Sequence, residues 1–570
     1  MKRAWWQEAV GYEIYPRTFY DSNGDGVGDL PGIINKLDYL RDLGVNLLWI
    51  CPFFTSPMDD FGYDVADYMR VDPSFGTNDD FKVLLREAHA RGIKIIIDFV
   101  LNHTSDEHRW FIEARKNRYS KERQYYIWKD PKYDEYGTMI PPNNWGSFFS
   151  ESAWSYDEMA KQYYMHIFSK KMPDLNWENK TLRNQIYDVA RYWLDLGVDG
   201  FRLDAIAHLA KDLTFKDSSQ KANIEGYTLD MSKFSSIPRL FEYLNEFKDE
   251  VLIKYPRIMT IGEVGGLAST DEALKYSNYK TGALNMVFNF DTCWENGAYG
   301  SEDKLDYQIV TNVKNLKHLF KKWYDACNGK AWLPLYWGNH DHPRVVSQYG
   351  SVRYRNESAK MLATTLLFMY GTPFIYNGEE IGMSNVDYTR ITDFKDVSAL
   401  NYARKASNRL SEEQIIRFLR RTSRVNARTP MQWDGSDNAG FTTGTPNQKV
   451  NGNFKTINVA AQEADSDSIL NFYKTALKIR KDPSILNSVL EGLFELVEPD
   501  HADVFAYVHK GAKPLLVISN FRSYEVPFKL SYRVKTVLLH NYPSMEKRGL
   551  MLQLRPFESY LLELDPGTSL

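Results

Sequence analysis

The sequence predicts an α/β protein. A (β/α)8 barrel is built from residues 1–103 and 177–486, a subdomain is inserted at 104–176, and an antiparallel β-sandwich closes the chain at 487–570. Three observations lead there. Short apolar runs alternate with amphipathic stretches, as parallel strands alternate with crossover helices. Eight such runs occur before residue 380. From about residue 487 the pattern changes to closely spaced β-rich runs.

The first run is 12–15, ended by Pro16, and the loop D-S-N-G-D-G-V-G-D follows at 21–29. Oxygen-bearing side chains recur there at Asp21, Asn23, Asp25 and Asp29, and the Val27 carbonyl can add a ligand, so the loop suits a structural Ca²⁺. It resembles the first half of an EF-hand loop, although the twelfth position is Gly32 instead of Glu. Residues 30–43 read as helix, 46–50 as strand two, 81–91 as an amphipathic helix stopped by Gly92, and 94–98 as strand three. Strands four to eight are expected at 200–204, 258–263, 284–288, 333–337 and 373–377, with a helix at 182–196. That repeat is the pattern of a TIM barrel, whose reactive groups lie at the C-terminal strand ends. Residues 104–176 are irregular, polar and aromatic and are expected to wall one side of that mouth. The Asn/Gly/Thr-rich loops of 380–460 are expected to cover another. The sandwich is read from runs at 494–497, 504–508, 515–519, 536–539 and 559–562.

Composition narrows the function. A net charge of −4 offers no broad basic surface for nucleic acid or an acidic membrane. The longest apolar run, 361–376, is broken by Thr364, Thr365 and Gly-Thr-Pro and is too short to span a bilayer. The N-terminus runs into Glu8 and Glu13 without an apolar signal core, and Cys51, Cys293 and Cys327 form neither a disulfide framework nor a metal cluster. Buried thiols in a cytoplasmic protein, monomer or homodimer, are expected. Aromatic residues make up 14% of the chain, a surplus that suits stacking on sugar rings.

The candidate chemistry lies at strand ends. Strand three runs into D-F-V-L-N-H at 98–103, strand four is G-F-R-L-D at 200–204, strand five ends in Glu263, and G-N-H-D follows strand seven at 338–341. Arg202 and Asp204 share one side of an extended strand, and a cation there favours the ionised carboxylate that a nucleophile needs. Carboxylates crowded at one mouth repel and cost stability, so they point to function over structure. Paired carboxylates suit glycoside hydrolysis, with one attacking the anomeric carbon and one protonating the leaving oxygen.

These motifs in this order, with the cation loop, resemble the conserved regions of the α-amylase family, glycoside hydrolase family 13. M-P-D-L-N-W at 172–177, A-R-T-P-M-Q-W at 427–433 and Y-N-G-E-E-I-G-M at 376–383 are similar to its oligo-1,6-glucosidase and α-glucosidase branch, retaining exo-enzymes on short α-glucosides. The resemblance implies Asp204 as nucleophile, Glu263 as general acid/base and Asp341 as transition-state stabiliser. It implies that Arg202 orients Asp204, that His103 and His340 bind sugar hydroxyls, and that Asp64 and Arg424 hold the non-reducing-end glucose, with Tyr63 as a stacking platform. It also assigns Asp21, Asn23, Asp25, Val27 and Asp29 to calcium. Met172, Gly338, Val425 and Phe61 depart from residues common in the branch.

Linkage is read from Ala205, directly after the nucleophile. In the branch, Val there accompanies α-1,6 preference and smaller residues accompany α-1,4, because a branched group crowds the leaving sugar in one geometry. The sequence therefore leans to maltose and malto-oligosaccharides, a discrimination of about 1–3 kcal/mol. Oligo-1,6-glucosidase is the alternative. A sucrose isomerase is disfavoured because the Arg-rich isomerase motif is missing between Phe288 and Asn339. A trehalose-6-phosphate hydrolase is disfavoured because no phosphate-binding basic cluster is evident. A non-catalytic homologue would have lost one of the three acids, and all three are present.

Overall fold

The computed structural model describes residues 3–566 except 150, 224, 266–267 and 292–310. Eight strands, β1 Gly11–Ile14, β2 Leu47–Ile50, β3 Lys94–Val100, β4 Gly200–Asp204, β5 Met259–Glu263, β6 Met286–Phe288, β7 Pro334–Leu335 and β8 Thr372–Tyr376, form one sheet in the order β6-β5-β4-β3-β2-β1-β8-β7. Every pairing is parallel, and a parallel bridge between Met286 and Trp332 joins its two edges. Helices cover the outside and side chains fill the inside, so β2 and β4 are buried along their whole length, β2 as an unbroken apolar run and β4 with Arg202 and Asp204 among its buried residues. The expected strands at 284–288 and 333–337 shorten to three and two residues. Gly200 opens β4 with φ +146°, and a Cβ there would stand 1.8 Å from the Met259 carbonyl oxygen, so only glycine lets β4 and β5 approach.

The helices form where the pattern places them, with local corrections. The expected helix at 30–43 divides into Leu30–Asn35 and Leu37–Leu43, and Asp29 caps the first by accepting from the Gly32 amide. The helix expected at 81–91 begins earlier, Asn78–Ala90, because Thr77 and Asp80 form a reciprocal capping box. It turns Phe81, Leu84, Leu85 and Ala88 to the sheet, and each large side chain so buried contributes about 1.5–3 kcal/mol.

The segment after β3 is not wholly irregular. It holds a helix, Arg109–Lys116, and a three-stranded antiparallel sheet of Trp128–Lys129, Gln162–Met165 and Trp154–Asp157 over a core that includes Trp145, Trp154 and Met165. It is docked by an ion pair, Lys211 Nζ to Asp174 Oδ2 at 3.0 Å, whose lysine also reaches Asn102 Oδ1 at 2.8 Å. The segment after β8 carries helices Val397–Ala406 and Glu412–Thr422 with their own apolar cluster, where the sequence reading has only loops.

At the C-terminal end, a five-stranded and a three-stranded antiparallel sheet enclose a cluster drawn from both, including Val504, Leu516, Phe528, Leu552 and Leu562. Strands Val526–Lys529, Lys547–Arg548 and Met551–Leu554 add to those read from sequence. Lys317, on helix Val313–Cys327 of the barrel, donates to the carbonyls of Glu498, His501 and Val504 at 2.8, 2.8 and 3.0 Å and ties the sandwich to the barrel. Cys51 and Cys327 are buried free thiols, and Cys293 lies outside the described residues. Among the described residues no helix is long and apolar enough to cross a membrane.

Candidate active site

The parallel register sets Asp98 of β3 beside Arg202 of β4. Arg202 is 2% exposed. Its Nη1 lies 2.8 Å from Asp98 Oδ1 and 2.6 Å from Asp204 Oδ1, while Nη2 bonds Glu263 Oε2 at the end of β5. One planar guanidinium thus holds a carboxylate from each of three neighbouring strands, which the fixed fork of arginine can do and the point charge of lysine cannot. Burial raises the Asp204 carboxyl above its usual range, Glu263 and Asp98 add to that, and Arg202 opposes it. The three carboxylates share this one cation, so the titrations of the cluster are coupled and belong to the group as a whole. Of the three side chains Glu263 is the most open, 19% exposed against 11% for Asp204 and none for Asp98.

Asp341, after β7, is held by a second set of cations. Arg428 Nη2 lies 2.6 Å and Arg424 Nη1 3.3 Å from its Oδ1, and His340 Nε2 lies 3.1 Å from its Oδ2. Burial works against ionisation, but His340, Arg428 and Arg424 hold the Asp341 carboxyl well below the usual range. Asp204 and Asp341 therefore reach the site in different electrostatic states, which separates their roles.

Between the two clusters stands Tyr63. Its hydroxyl donates to Asp98 Oδ2 at 3.0 Å and lies 2.7 Å from His340 Nε2, and its ring stacks on His340 with centroids 5.3 Å apart. His103 packs behind, its Nε2 3.3 Å from the Tyr63 carbonyl, and burial pushes its imidazole down to about 3, so it is neutral. The expected residues Asp204, Glu263, Asp341, Arg202, Tyr63, His103, His340 and Arg424 are thus brought into one connected network.

Asp64 is the exception and corrects the sequence reading. It is fully buried and accepts from Ser56 Oγ at 2.9 Å and from the amides of Asp59 and Asp60 at 2.8 and 3.1 Å. Its carboxylate closes its own loop, and burial pushes it up to about 6. The acid that meets Arg424 is Asp60, with Oδ1 2.6 Å from Nη2, while Asp396 takes Arg424 Nε at 2.7 Å. Asp60, Asp98, Asp396 and Arg428 were missed. Asp98 and Arg428 lie inside the motifs D-F-V-L-N-H and A-R-T-P-M-Q-W, and Asp60 is four residues before Asp64.

In the loop at 21–29, Asp21 accepts from the amides of Asn23, Gly24 and Gly26 at 3.0, 2.8 and 2.7 Å and from Thr442 Oγ1. Asn23 Oδ1 takes the Asp25 amide at 2.9 Å, Asp25 Oδ1 takes the Val27 amide at 2.8 Å, and Asp29 takes Gly32 and Ser22. The donor set is wholly oxygen, and the loop is tied to the 441–447 segment through Asp21 N to Phe441 O and Asn447 N to Gly26 O. That chemistry fits a hard cation.

A barrel mouth with a carboxylate pair bridged by arginine and a separately ionised third acid defines a glycoside hydrolase. The chain belongs to the α-amylase family: the model of the α-amylase catalytic domain matches residues 13–488. The chain is 44% identical over 573 residues to the oligo-1,6-glucosidase of Bacillus cereus, covering 99% of this chain and all of that protein. The solved trehalose-6-phosphate hydrolase of Bacillus licheniformis is 40% identical with a TM-score of 0.89, and an isomaltulose synthase from Klebsiella is 34% identical with a TM-score of 0.92. Each match covers 99% of this chain and all of the other. The protein is a glycoside hydrolase of the α-glucosidase type.

Proposed function

We propose that the protein is a retaining, exo-acting oligo-1,6-glucosidase working through a covalent glucosyl-Asp204 intermediate. The observation that carries the retaining reading is the Arg202 bridge. Retention needs the two carboxyls about 5–5.5 Å apart, and inversion needs about 6.5–9.5 Å to fit a water. Asp204 and Glu263 bound to the two terminal nitrogens of one guanidinium suit the closer spacing.

Asp204 attacks the anomeric carbon of the terminal glucose while Glu263, as the general acid, gives its proton to the departing oxygen. The C1–O bond breaks, a C1–O(Asp204) ester forms, and the leaving sugar departs as an alcohol. Glu263, now a carboxylate, takes a proton from water, which attacks C1 from the vacated face and returns Asp204. Asp341 stays ionised through both steps and stabilises the positive charge that builds on the ring. Asp60 and Arg424 close the end of the site against the non-reducing glucose, which limits cleavage to one terminal unit. Tyr63 meets its ring, and His103 and His340, expected to bind hydroxyls, are buried behind Tyr63 and hold it in place.

The α-1,6 assignment replaces the α-1,4 lean drawn from Ala205. Ala205 has φ +47° and ψ +32°, a left-handed conformation in which a β-branched side chain is strained. The 44% identity to a protein named for α-1,6 cleavage, above the 40% and 34% of the other two, supports the 1,6 reading. Initial rates on isomaltose and maltose at equal concentration test it: isomaltose is expected to be the faster, and faster maltose restores the 1,4 reading.

The loop of Asp21, Asn23, Asp25, Val27 and Asp29 we assign to a structural Ca²⁺. Two buried free thiols agree with a cytoplasmic site of action.

A further inference from the structure

Glu13, on β1, takes no part in the chemistry above, yet it is 1% exposed and turned into the barrel directly beneath the sugar-binding wall. Its Oε1 lies 2.6 Å from His340 Nδ1 and 3.3 Å from the His340 amide, and it accepts from Cys51 Sγ at 3.4 Å. His340 is fully buried and is gripped on both faces, stacked on Tyr15 at 6.1 Å and on Tyr63 at 5.3 Å, with Trp49 at its edge. It cannot choose its partners by moving.

Its other nitrogen, Nε2, lies 2.7 Å from the Tyr63 hydroxyl and 3.1 Å from Asp341 Oδ2. The same hydroxyl is 3.0 Å from Asp98 Oδ2. A hydroxyl has one proton. If Nε2 were bare, the Tyr63 proton would be drawn to it and Asp98 would lose that donor, while Asp341 would face a lone pair. If Nε2 carries hydrogen, it donates to Asp341 and to the phenolic oxygen, and the Tyr63 proton goes to Asp98. A hydrogen on Nε2 therefore satisfies Asp341, Tyr63 and Asp98 together, while Nδ1 faces Glu13 across 2.6 Å.

We propose that Glu13 is a positioning residue: by taking the Nδ1 hydrogen of His340 it fixes a hydrogen on Nε2 for Asp341 and turns the Tyr63 hydroxyl to Asp98. The chain then runs Glu13, His340, Tyr63, Asp98, Arg202, Asp204, and it links a carboxylate on β1 to the nucleophile on β4. This inference rests on the reading of Asp204, Glu263 and Asp341 as the reacting acids. The titratable and charged groups facing His340 are Glu13, Cys51, Asp341, Tyr63 and Tyr15, with Asp98, Arg202, Arg428, His342 and Tyr376 around them. Burial disfavours an imidazolium, but Asp341, Cys51 and Glu13 raise His340 well above its ordinary value. Burial pushes the Cys51 thiol up to about 12; burial raises the Glu13 carboxyl as well, and His340, Cys51 and Arg202 oppose that rise.

The test compares Glu13→Gln with wild type on p-nitrophenyl α-glucoside from pH 5 to 9. Glutamine keeps the size and an acceptor but not the charge. The expected result is a fall of about tenfold to hundredfold in kcat/KM, from the loss of one charge-assisted hydrogen bond. The loss is expected to grow with pH, because His340 then sheds its proton within the range. A profile parallel to wild type, whatever its height, overturns the proposal, since a purely structural role would lower activity equally at every pH. Neutron diffraction from wild-type crystals exchanged in heavy water gives a second readout that needs no variant. Deuterium on both ring nitrogens of His340, with the Tyr63 deuteron toward Asp98, supports the proposal, and a bare Nε2 refutes it. Activity surviving in Asp204→Asn would instead bring down the catalytic assignment and leave the hydrogen positions to stand or fall alone.

Discussion

Nη2 of Arg424 lies 2.6 Å from Oδ1 of Asp60. That pair, with only a tenth of the arginine side chain and less of the aspartate exposed, stands beside Asp341, which Arg424 Nη1 reaches at 3.3 Å. Asp64, four residues on, instead holds the loop that carries Asp60.

The two aspartates should separate in kinetics. Asp60→Ala removes a charge-assisted contact of about 1.5–3 kcal/mol to Arg424 and is expected to cut kcat/KM on isomaltose by about 10–100-fold with little change in melting temperature. Asp64→Ala strands Ser56 and two amides and is expected to lower the melting temperature first. Steady-state kinetics with calorimetry on both variants checks this, and the reverse pattern would return Asp64 to the sugar.

Arg202→Lys keeps a charge but loses the fork. The expected outcome is a drop in kcat of about 100-fold or more and a shift of the acid limb of the pH profile to higher pH. The sign follows from the carboxylates: a poorly placed cation lets the Asp204 carboxyl rise further, so the ionised nucleophile appears only at higher pH. A pH–rate profile of the variant decides it.

The parts of this site that lie on strands were legible in the sequence, and those on loops were not. Asp204 and Glu263 close β4 and β5, where burying an acid at the end of an apolar run costs too much to serve packing alone. His340 and Asp341 follow the same logic after β7. Asp98 was in view as part of its motif, but its pairing with Arg202 depends on the β3–β4 register, which no local pattern specifies. The choice between Asp60 and Asp64 depends on a loop in which Phe61 has φ +53° and Gly62 φ +110°, so strand alternation does not say which side chain points inward. Helix Glu412–Thr422 carries Ile415, Ile416, Phe418 and Leu419 on its buried face, yet the Asn/Gly/Thr-rich sequence around it obscured that stripe.

The cation loop should act on stability alone. Chelation, or Asp21→Ala, is expected to lower the melting temperature by several degrees without changing KM, and added Ca²⁺ is expected to restore the chelated protein. A cation bound at 100 times its dissociation constant contributes about 2.7 kcal/mol. Calorimetry with and without chelator checks it.

Acid should loosen the C-terminal sheets through Glu558. Burial opposes its ionisation, but bonds from His540, Arg555 and Tyr560 hold the carboxyl down to about 2. A folded value below the unfolded one gives stability that is present above the unfolded value, about pH 4.3, and is lost as pH falls toward 2. Glu558→Gln is expected to be about 3 kcal/mol less stable than wild type near neutrality, with the gap closing below pH 4. Denaturant melts from pH 3 to 7 measure it.

The most direct test of the covalent mechanism is the anomer of the first glucose released from p-nitrophenyl α-glucoside, followed by proton NMR before mutarotation. Two displacements at one carbon, through Asp204 and then water, give α-glucose first. If β-glucose appears first, a single displacement by water has occurred, and the covalent role assigned to Asp204 is contradicted.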